Sequence, residues 1–289
     1  MAKLIDFKCK YAAFAGISNE FVESLGLKLP DAYKSAESIA VVAAARRKAD
    51  DNVFCVLPSD PVLEAEALGA KIKYDDSNLG PRKDVDVIST VDELANLPRI
   101  DLEHGRIAEV LKACQILKSQ GEKVAIEVNG PFSIFNGLME IQKILMAWRK
   151  KPELMQQIFD RIREDLVAYF VAAKNAGCDM LFYTDSAGGL NIIGPRYGKQ
   201  YVEWFTLPLL KSLDETLPPE CIVHLCPKTA FMVAGCGNAI WKQIPIDGNM
   251  KYGDACLSLA GKVRFMGQRC RKEENAPVSN HLCYLELTE

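Results

Sequence analysis

A histidine and a cysteine stand two residues apart at the end of an apolar run. Within residues 221–226, the β-branched pair Ile222 and Val223 directly precedes His224 and Cys226. β-branched residues favour strands, and strand residues i and i+2 point to the same face. Imidazole nitrogen and thiolate sulfur are ligands that zinc prefers, and a catalytic zinc keeps one position open for substrate. The spacing therefore predicts that His224 and Cys226 share a zinc ion, with further ligands supplied from elsewhere in the chain.

The elements that would position this pair alternate between short apolar runs and longer helical segments. Strands are predicted over residues 11–16, 53–57, 124–128, 180–183, 222–226, 243–246, 263–266 and 282–287. Helices are predicted over residues 35–49, 104–120, 152–176 and 199–213. Such alternation is typical of parallel strands joined by crossover helices. Eight strands in 289 residues predict an α/β fold, a (β/α)8 TIM barrel made of one domain over residues 1–289.

Polar residues follow most of the predicted strands. They are Ser59, Asp60, Asn129, Asp185, Ser186, His224, Cys226, Asp247 and Gln268. In a barrel of this kind, the loops at the carboxyl ends of the strands carry the chemistry. These residues are therefore the candidates for the site, although Asp and Ser at such junctions also serve as helix N-caps.

Composition and charge exclude several classes of function. The net charge is −3, and no Lys/Arg cluster or aromatic platform indicates a nucleic-acid partner. No apolar run approaches the ~20 residues of a membrane span, and the N-terminus lacks the core of a signal peptide, so we expect a cytoplasmic protein with no membrane partner. The 10 cysteines lack framework spacing, which is typical of buried thiols in a reducing compartment. No glycine-rich nucleotide-binding motif is present.

Several stretches resemble the uroporphyrinogen decarboxylase superfamily. They are residues 59–70 (SDPVLEAEALGA), 129–132 (NGPF), 183–188 (YTDSAG), 246–247 (ID) and 263–267 (VRFMG). Their order and approximate spacing match the superfamily over residues 11 to 268. The resemblance implies a (β/α)8 barrel with its cleft at the carboxyl-end rim, which agrees with the strand and helix pattern.

Two branches of that superfamily differ at the N-terminal segment. The decarboxylase branch carries arginines there that grip the carboxylates of the porphyrin, and bidentate Arg–carboxylate pairing suits a polyacid. Here residues 11–19 contain no arginine, which argues against decarboxylation. The cobamide-dependent methyltransferase branch instead carries a His-x-Cys…Cys zinc site. His224 and Cys226 match its first half, and residues 19–26 and 57–69 also resemble this branch.

The remaining zinc ligands are implied by the resemblance. The third ligand is Cys283 if residues 282–287 form the last strand, and Cys270 is the alternative. The tail, residues 268–289, departs from the family, so it is also open whether either cysteine reaches the metal. Asp247 falls where the family has an acidic residue at a strand end, and it completes the zinc shell when no thiol is bound.

The resemblance predicts methyl transfer from a methylcobamide, carried on a separate small corrinoid protein, to a thiol such as coenzyme M. Zinc would bind the thiol as its thiolate, which is otherwise scarce at neutral pH because a free thiol has a pKa near ~8.5. The roles predicted with it are catalysis by Asp60 and Asp185 and cofactor binding by Asn129, Ser186 and Gln268. Two alternatives remain: a decarboxylase that uses Asp60, and a non-catalytic corrinoid-binding member.

Overall fold

The computed structural model of the protein describes residues 4–11, 16–58, 60–74 and 79–288. The first predicted strand, residues 11–16, falls mostly outside these residues, and so does Ser59. The strands are β1 (Cys55–Leu57), β2 (Lys71–Lys73), β3 (Arg82–Val85), β4 (Val124–Asn129), β5 (Met180–Thr184), β6 (Ile222–Leu225), β7 (Ala239–Lys251), β8 (Phe265–Met266) and β9 (Pro277–Leu287). Seven of the eight predicted strands therefore have a counterpart among these strands.

The helices occupy most of the intervening chain. They are α1 (Asn19–Ser24), α2 (Ala36–Ala49), α3 (Leu63–Ala67), α4 (Val91–Ala95), α5 (Gly105–Ser119), α6 (Pro131–Leu138), α7 (Ile141–Lys150), α8 (Pro152–Asn175), α9 (Leu190–Tyr201), α10 (Leu207–Thr216), α11 (Pro227–Gly235) and α12 (Tyr252–Leu257). A π-helical turn, Val202–Thr206, joins α9 to α10. None of the helices in the described chain is long and apolar enough to cross a membrane.

Seven strands form one sheet in the order β1-β4-β5-β6-β8-β9-β7. The first five of that order pair in parallel, as the β-α alternation predicts. Within the described residues, no strand pairing joins β7 back to β1. A separate antiparallel ribbon is formed by β2 and β3.

The C-terminal end of the sheet departs from a regular barrel. β9 runs antiparallel to both β8 and β7, and it is 11 residues long, longer than the predicted 282–287. β7 is 13 residues long and also exceeds its predicted bounds of 243–246. The two strands form a long ribbon, because each supplies the backbone partners of the other over nearly its whole length. Two long antiparallel strands thus end the sheet in place of a further parallel strand.

The two faces of the parallel strands have different partners. Val124, Ile126 and Val128 of β4 belong to the larger core, together with apolar residues of α2, α5 and α8. Their neighbour Ala125 belongs to a smaller cluster with Phe182 of β5, on the opposite face, as the two-residue period of a strand requires. We call this opposite face the inner face. It is covered by α12 and the β7–β9 ribbon, and it carries the candidate site.

Candidate functional site

His224 lies on the inner face near the end of β6. Its side chain is 2% exposed, and the rings of Phe182 and Tyr252 stand edge-on to it at centroid distances of 5.5 and 5.8 Å. Nε2 lies 3.1 Å from the Tyr252 hydroxyl. Burial, with a smaller contribution from the nearby Arg271 guanidinium, lowers the pKa of His224 to about 4. The ring is therefore neutral at pH 7, which is the form that binds metals.

Cys226 directly follows β6 at the N-cap position of α11. Its backbone N–H donates to the carbonyl of Tyr183 at 2.8 Å, and its side chain is half-buried. Burial raises the pKa of Cys226 to about 12, and the charges of Cys270 and Cys9 act in the same direction. Cys270 lies a few residues after β8, and Cys9 lies in the N-terminal segment.

The zinc site predicted from the spacing is not complete in this arrangement. In the chain as described, no group of three His, Cys, Asp or Glu side chains could hold a metal ion. Cys283 stands opposite Gln243 in the β7–β9 ribbon, and Asp247 is exposed on β7. His224 and Cys226 provide the nitrogen and the sulfur that zinc prefers, but a third donor is not brought to them. The zinc site therefore stays a prediction.

An arginine of the tail lies beside His224. Arg271 begins the 3-10 turn Arg271–Glu273, forms an ion pair with Glu127 of β4, and lies 5.6 Å from the Phe182 ring centroid. Thr184 of β5 donates its hydroxyl to Glu127 at 3.0 Å. Sequence reasoning missed Arg271 and Glu127. The signal for Glu127 was its position two residues from Ala125, which places a charge on the inner face.

Asn129 is held by a fully buried carboxyl group. Its backbone N–H and its side-chain amide each donate to Glu64 at 2.8 Å, and its side-chain oxygen lies 3.5 Å from the Thr184 hydroxyl. Burial raises the pKa of Glu64 to about 7, although both hydrogen bonds from Asn129 oppose the shift. Glu64 was also missed, because a glutamate in a short helix is expected to be solvated. A chain of polar contacts therefore runs from Glu64 through Asn129 and Thr184 to Glu127.

Asp60 is neutralised by an arginine of α5. Both terminal nitrogens of Arg106 contact the Asp60 carboxylate, and Nε of Arg106 donates to Glu66 at 2.6 Å. Asp60 also accepts the Val62 N–H at 3.0 Å, and Tyr74 donates its hydroxyl to Glu66 at 2.7 Å. The side chains of Asp60 and Arg106 are 1% and 6% exposed. An arginine thus reaches this rim from residue 106, outside the N-terminal segment.

The carboxylate of Asp185 accepts hydrogen bonds from groups within the fold. Its carboxylate accepts the Ser133 N–H and hydroxyl, both at 2.8 Å, the Phe132 N–H at 3.3 Å and the Tyr201 hydroxyl at 2.6 Å. These donors include N–H groups of the first turn of α6, so Asp185 acts as a cap for that helix. Burial raises the pKa of Asp185, and the hydrogen bonds oppose that rise. A Cβ on Gly130 would lie 2.5 Å from Cβ of Asp185, so this packing requires glycine.

The two other predicted cofactor-binding residues are exposed. Ser186 lies in the 3-10 turn Ser186–Gly188, where its carbonyl is 3.5 Å from the Lys228 amine. Gln268 follows β8 and lines a small cavity of about 80 Å³, which also contains Cys283. A larger cavity of about 620 Å³ lies between α8 and α10 and contains none of the predicted site residues. Most of the predicted residues thus lie near the carboxyl ends of the parallel strands, whereas Asp247 and Cys283 lie in the β7–β9 ribbon.

A parallel sheet with polar residues at its carboxyl-end rim defines a class of α/β enzymes. The model of the uroporphyrinogen decarboxylase (URO-D) family matches residues 17–268, so the chain belongs to this family. The superfamily predicted from residues 59–70 and the four other stretches is confirmed. A methyltransferase from Methanosarcina mazei shares the fold, with a TM-score of 0.61 and 20% identity over 78% of this chain and 68% of that chain. The α/β fold class is confirmed with it.

Curated relatives with detectable sequence similarity are methyltransferases. The methylcobamide:CoM methyltransferase MtaA of Methanosarcina barkeri is 24% identical over 259 residues, which are 87% of this chain and 72% of the relative. The methylcobamide:CoM methyltransferase MtbA of Methanosarcina acetivorans is 25% identical over 216 residues, 73% of this chain and 62% of the relative. Similarity to these relatives supports a transferase within the URO-D family.

Proposed function

We propose that the protein transfers a methyl group from a methylated corrinoid to a thiol such as coenzyme M. The observation that carries this proposal is the placement of His224 and Cys226, a neutral imidazole and a thiol, at the end of the same strand. The similarity to methylcobamide:CoM methyltransferases supports the same reaction. In the transfer, the acceptor sulfur bonds to the methyl carbon as the cobalt–carbon bond breaks. The bonding electrons stay with cobalt, and the thiol proton goes to solvent.

His224 and Cys226 are the proposed metal ligands, and the proposal needs a third donor for zinc. Cys270 is the better candidate, because it follows β8, the strand that pairs with β6, and it contributes to the raised pKa of Cys226. Cys283 lines the cavity that Tyr252 also lines, and Tyr252 stands against the imidazole of His224. A zinc site thus requires that Cys270 move toward Cys226, or that the ribbon carrying Cys283 and Asp247 shift as a unit.

Asp60 and Asp185 act in this proposal by shaping the rim and do not touch the reactants. The oxygens of Asp60 are taken up by Arg106 and the Val62 N–H, and those of Asp185 by donors from α6 and by Tyr201. Asn129 is fixed by Glu64 in the same way. The corrinoid would arrive on a separate small protein that docks at this rim.

Zinc content measured on the wild type and on three cysteine variants tests the proposal. Metal-replete protein should carry about one equivalent of zinc, and Cys226→Ser should lose it because the first sulfur ligand is gone. Cys270→Ser should also lose zinc, whereas Cys283→Ser should keep it. If the wild type carries no zinc after loading, the zinc-dependent reaction is rejected.

The decarboxylase alternative is distinguished by a different pair of variants. It rests on the position of Asp60 at the rim and on the membership of the URO-D family. A decarboxylase should be abolished by Asp60→Asn and unaffected by Cys226→Ser. The ion pair of Asp60 with Arg106 argues against a decarboxylase, because the Asp60 carboxylate already has a charged partner within the fold.

A further inference from the structure

The tail lines a small cavity that shares the Tyr252 side chain with the surroundings of His224. The cavity has a volume of about 80 Å³ and is lined by Tyr252, Gln268, Arg269, His281, Leu282 and Cys283. A buried water needs roughly 10–15 Å³ of such space, so the cavity accepts a group of several heavy atoms. Four of these side chains carry polar groups that can contact a ligand besides Tyr252: an amide, a guanidinium, an imidazole and a thiol.

The two arginines of this part of the tail differ in how their charge is balanced. Arg271 is paired with Glu127 on the inner face. Arg269 is exposed and lies 6.0 Å from the Tyr252 ring centroid, and within the described residues no carboxylate forms an ion pair with it. A guanidinium without a carboxylate partner favours an oxyanion, which it binds through paired N–H groups. The Gln268 amide and the His281 imidazole add N–H donors to the same cavity.

We propose that this cavity binds a small oxyanion, and that the oxyanion is the charged end of the acceptor thiol. The second half of the proposal rests on the proposed function. Tyr252 connects the two places: its side chain lines the cavity, and its hydroxyl lies 3.1 Å from Nε2 of His224. In this proposal, an acceptor anchored by its anion at Arg269 extends along Tyr252, so that its sulfur lies toward His224 and Cys226.

Four of the six residues that line the cavity lie beyond the match to the family model. The match ends at residue 268, and Arg269, His281, Leu282 and Cys283 follow it. The antiparallel pairing of β8 with β9 brings residues 281–283 next to residues 268–269. The tail therefore supplies most of the lining of the cavity.

Calorimetric titration of the full chain with four probes tests the proposal. The probes are ethanesulfonate, 2-mercaptoethanesulfonate, uncharged ethanethiol and inorganic phosphate. Both sulfonates should bind, and Arg269→Gln should weaken both by at least about tenfold, because it removes the charge-assisted hydrogen bonds. Arg196→Gln, at an exposed arginine of α9, should leave all four titrations unchanged. His281→Gln should weaken sulfonate binding less than Arg269→Gln does.

The two halves of the proposal can fail separately. Absence of sulfonate binding, or equal binding by Arg269→Gln and the wild type, overturns the oxyanion subsite. Phosphate binding at least about tenfold tighter than sulfonate binding overturns its assignment to the acceptor. Because ethanesulfonate cannot accept a methyl group, its binding is independent of the reaction. Sulfonate binding without methyl transfer therefore rejects the proposed function alone, and methyl transfer with an unchanged KM in Arg269→Gln rejects the subsite alone.

Discussion

The two sides of the rim differ in how their charged side chains are paired. On the Asp60 side, the Asp60 and Glu66 carboxylates share the Arg106 guanidinium, and the side chains of Asp60 and Arg106 are almost fully buried. On the His224 side, the imidazole is neutral, and of the two tail arginines only Arg271 has a carboxylate partner among the described residues. Polar side chains whose hydrogen bonds are all made hold the fold in place, whereas those with free capacity can bind a ligand. The difference indicates that chemistry belongs on the His224 side.

Removal of Arg106 should give the largest loss of stability. Arg106→Gln leaves Asp60 and Glu66 buried without their cation, and breaking a buried pair costs about 3–5 kcal/mol in the free energy of unfolding. Urea titration followed by circular dichroism measures it. Lys123→Gln is the matched control, because the Lys123–Asp254 pair is 52% and 37% exposed and should contribute less than about 1 kcal/mol. Equal effects of the two variants would show that burial does not strengthen the Arg106–Asp60 ion pair.

In metal-free protein, a fall in pH should change the contributions of His224 and Glu64 to the free energy of unfolding in opposite directions. The pKa of His224 is about 4 in the folded chain against 6.5 as its ordinary value, so its contribution is present above pH 6.5 and is lost as the pH falls toward 4. The pKa of Glu64 is about 7 against 4.5, so its contribution is present below pH 4.5 and is lost as the pH rises toward 7. Each amounts to about 3 kcal/mol at most, from about 1.4 kcal/mol per pKa unit.

Two isosteric or near-isosteric variants separate these contributions. Glu64→Gln should make the free energy of unfolding fall more steeply between pH 6.5 and 4, because Glu64 no longer opposes the titration of His224 and only Glu274, whose pKa is also raised to about 7, still does. His224→Gln should change the slope in the opposite direction in the same window. Urea titrations at a series of pH values, with a chelator present, measure both. Parallel pH profiles for the two variants would show that these groups do not titrate as their burial requires.

Only part of the fold and of the candidate site could be predicted from the sequence. The β-branched run predicted the strand that carries His224, because strand patterning is a local property, although β6 ends one residue before Cys226. The ion pair of Arg271 with Glu127 joins residues 144 positions apart, and such a pair depends on how the tail folds back. The sequence left open a cap of the helix that follows Asp185, but its carboxylate instead accepts from the first turn of α6, where Ser133 lies 52 positions earlier in the chain. The length of the β7–β9 ribbon was underestimated because most of its residues are exposed or half-buried, so its apolar runs are short.

Loss of the Arg271 charge should have an intermediate effect. Arg271→Gln leaves the Glu127 carboxylate on the inner face without its cation, which should cost about 1–3 kcal/mol because the hydrogen bond is to a charged group. It should also raise the pKa of His224, since the guanidinium lowers it. Nuclear magnetic resonance of the imidazole in metal-free protein follows the pKa. Arg271→Lys, which keeps the charge, should leave the pKa low; an upward shift in both variants would point to a change in packing.

Arg269 should have the smallest effect on stability. It is exposed and has no carboxylate partner in the chain as described, so Arg269→Gln should change the free energy of unfolding by no more than about 0.5 kcal/mol. The same urea titration measures it beside Arg271→Gln. A loss as large as that of Arg271→Gln would mean that Arg269 holds the tail in place, and the contrast between the two arginines would disappear.

The rate of methyl transfer from methylcobalamin to 2-mercaptoethanesulfonate tests the central claim most directly. The absorbance of methylcobalamin reports the cleavage of the cobalt–carbon bond, and the wild type should be compared with Cys226→Ser at equal protein concentration. We expect the wild type to catalyse the transfer and Cys226→Ser to lose at least about a hundredfold in rate, because the thiol at the end of β6 is part of the reacting centre. An unchanged rate in Cys226→Ser, or no transfer by zinc-loaded wild type, would contradict the account.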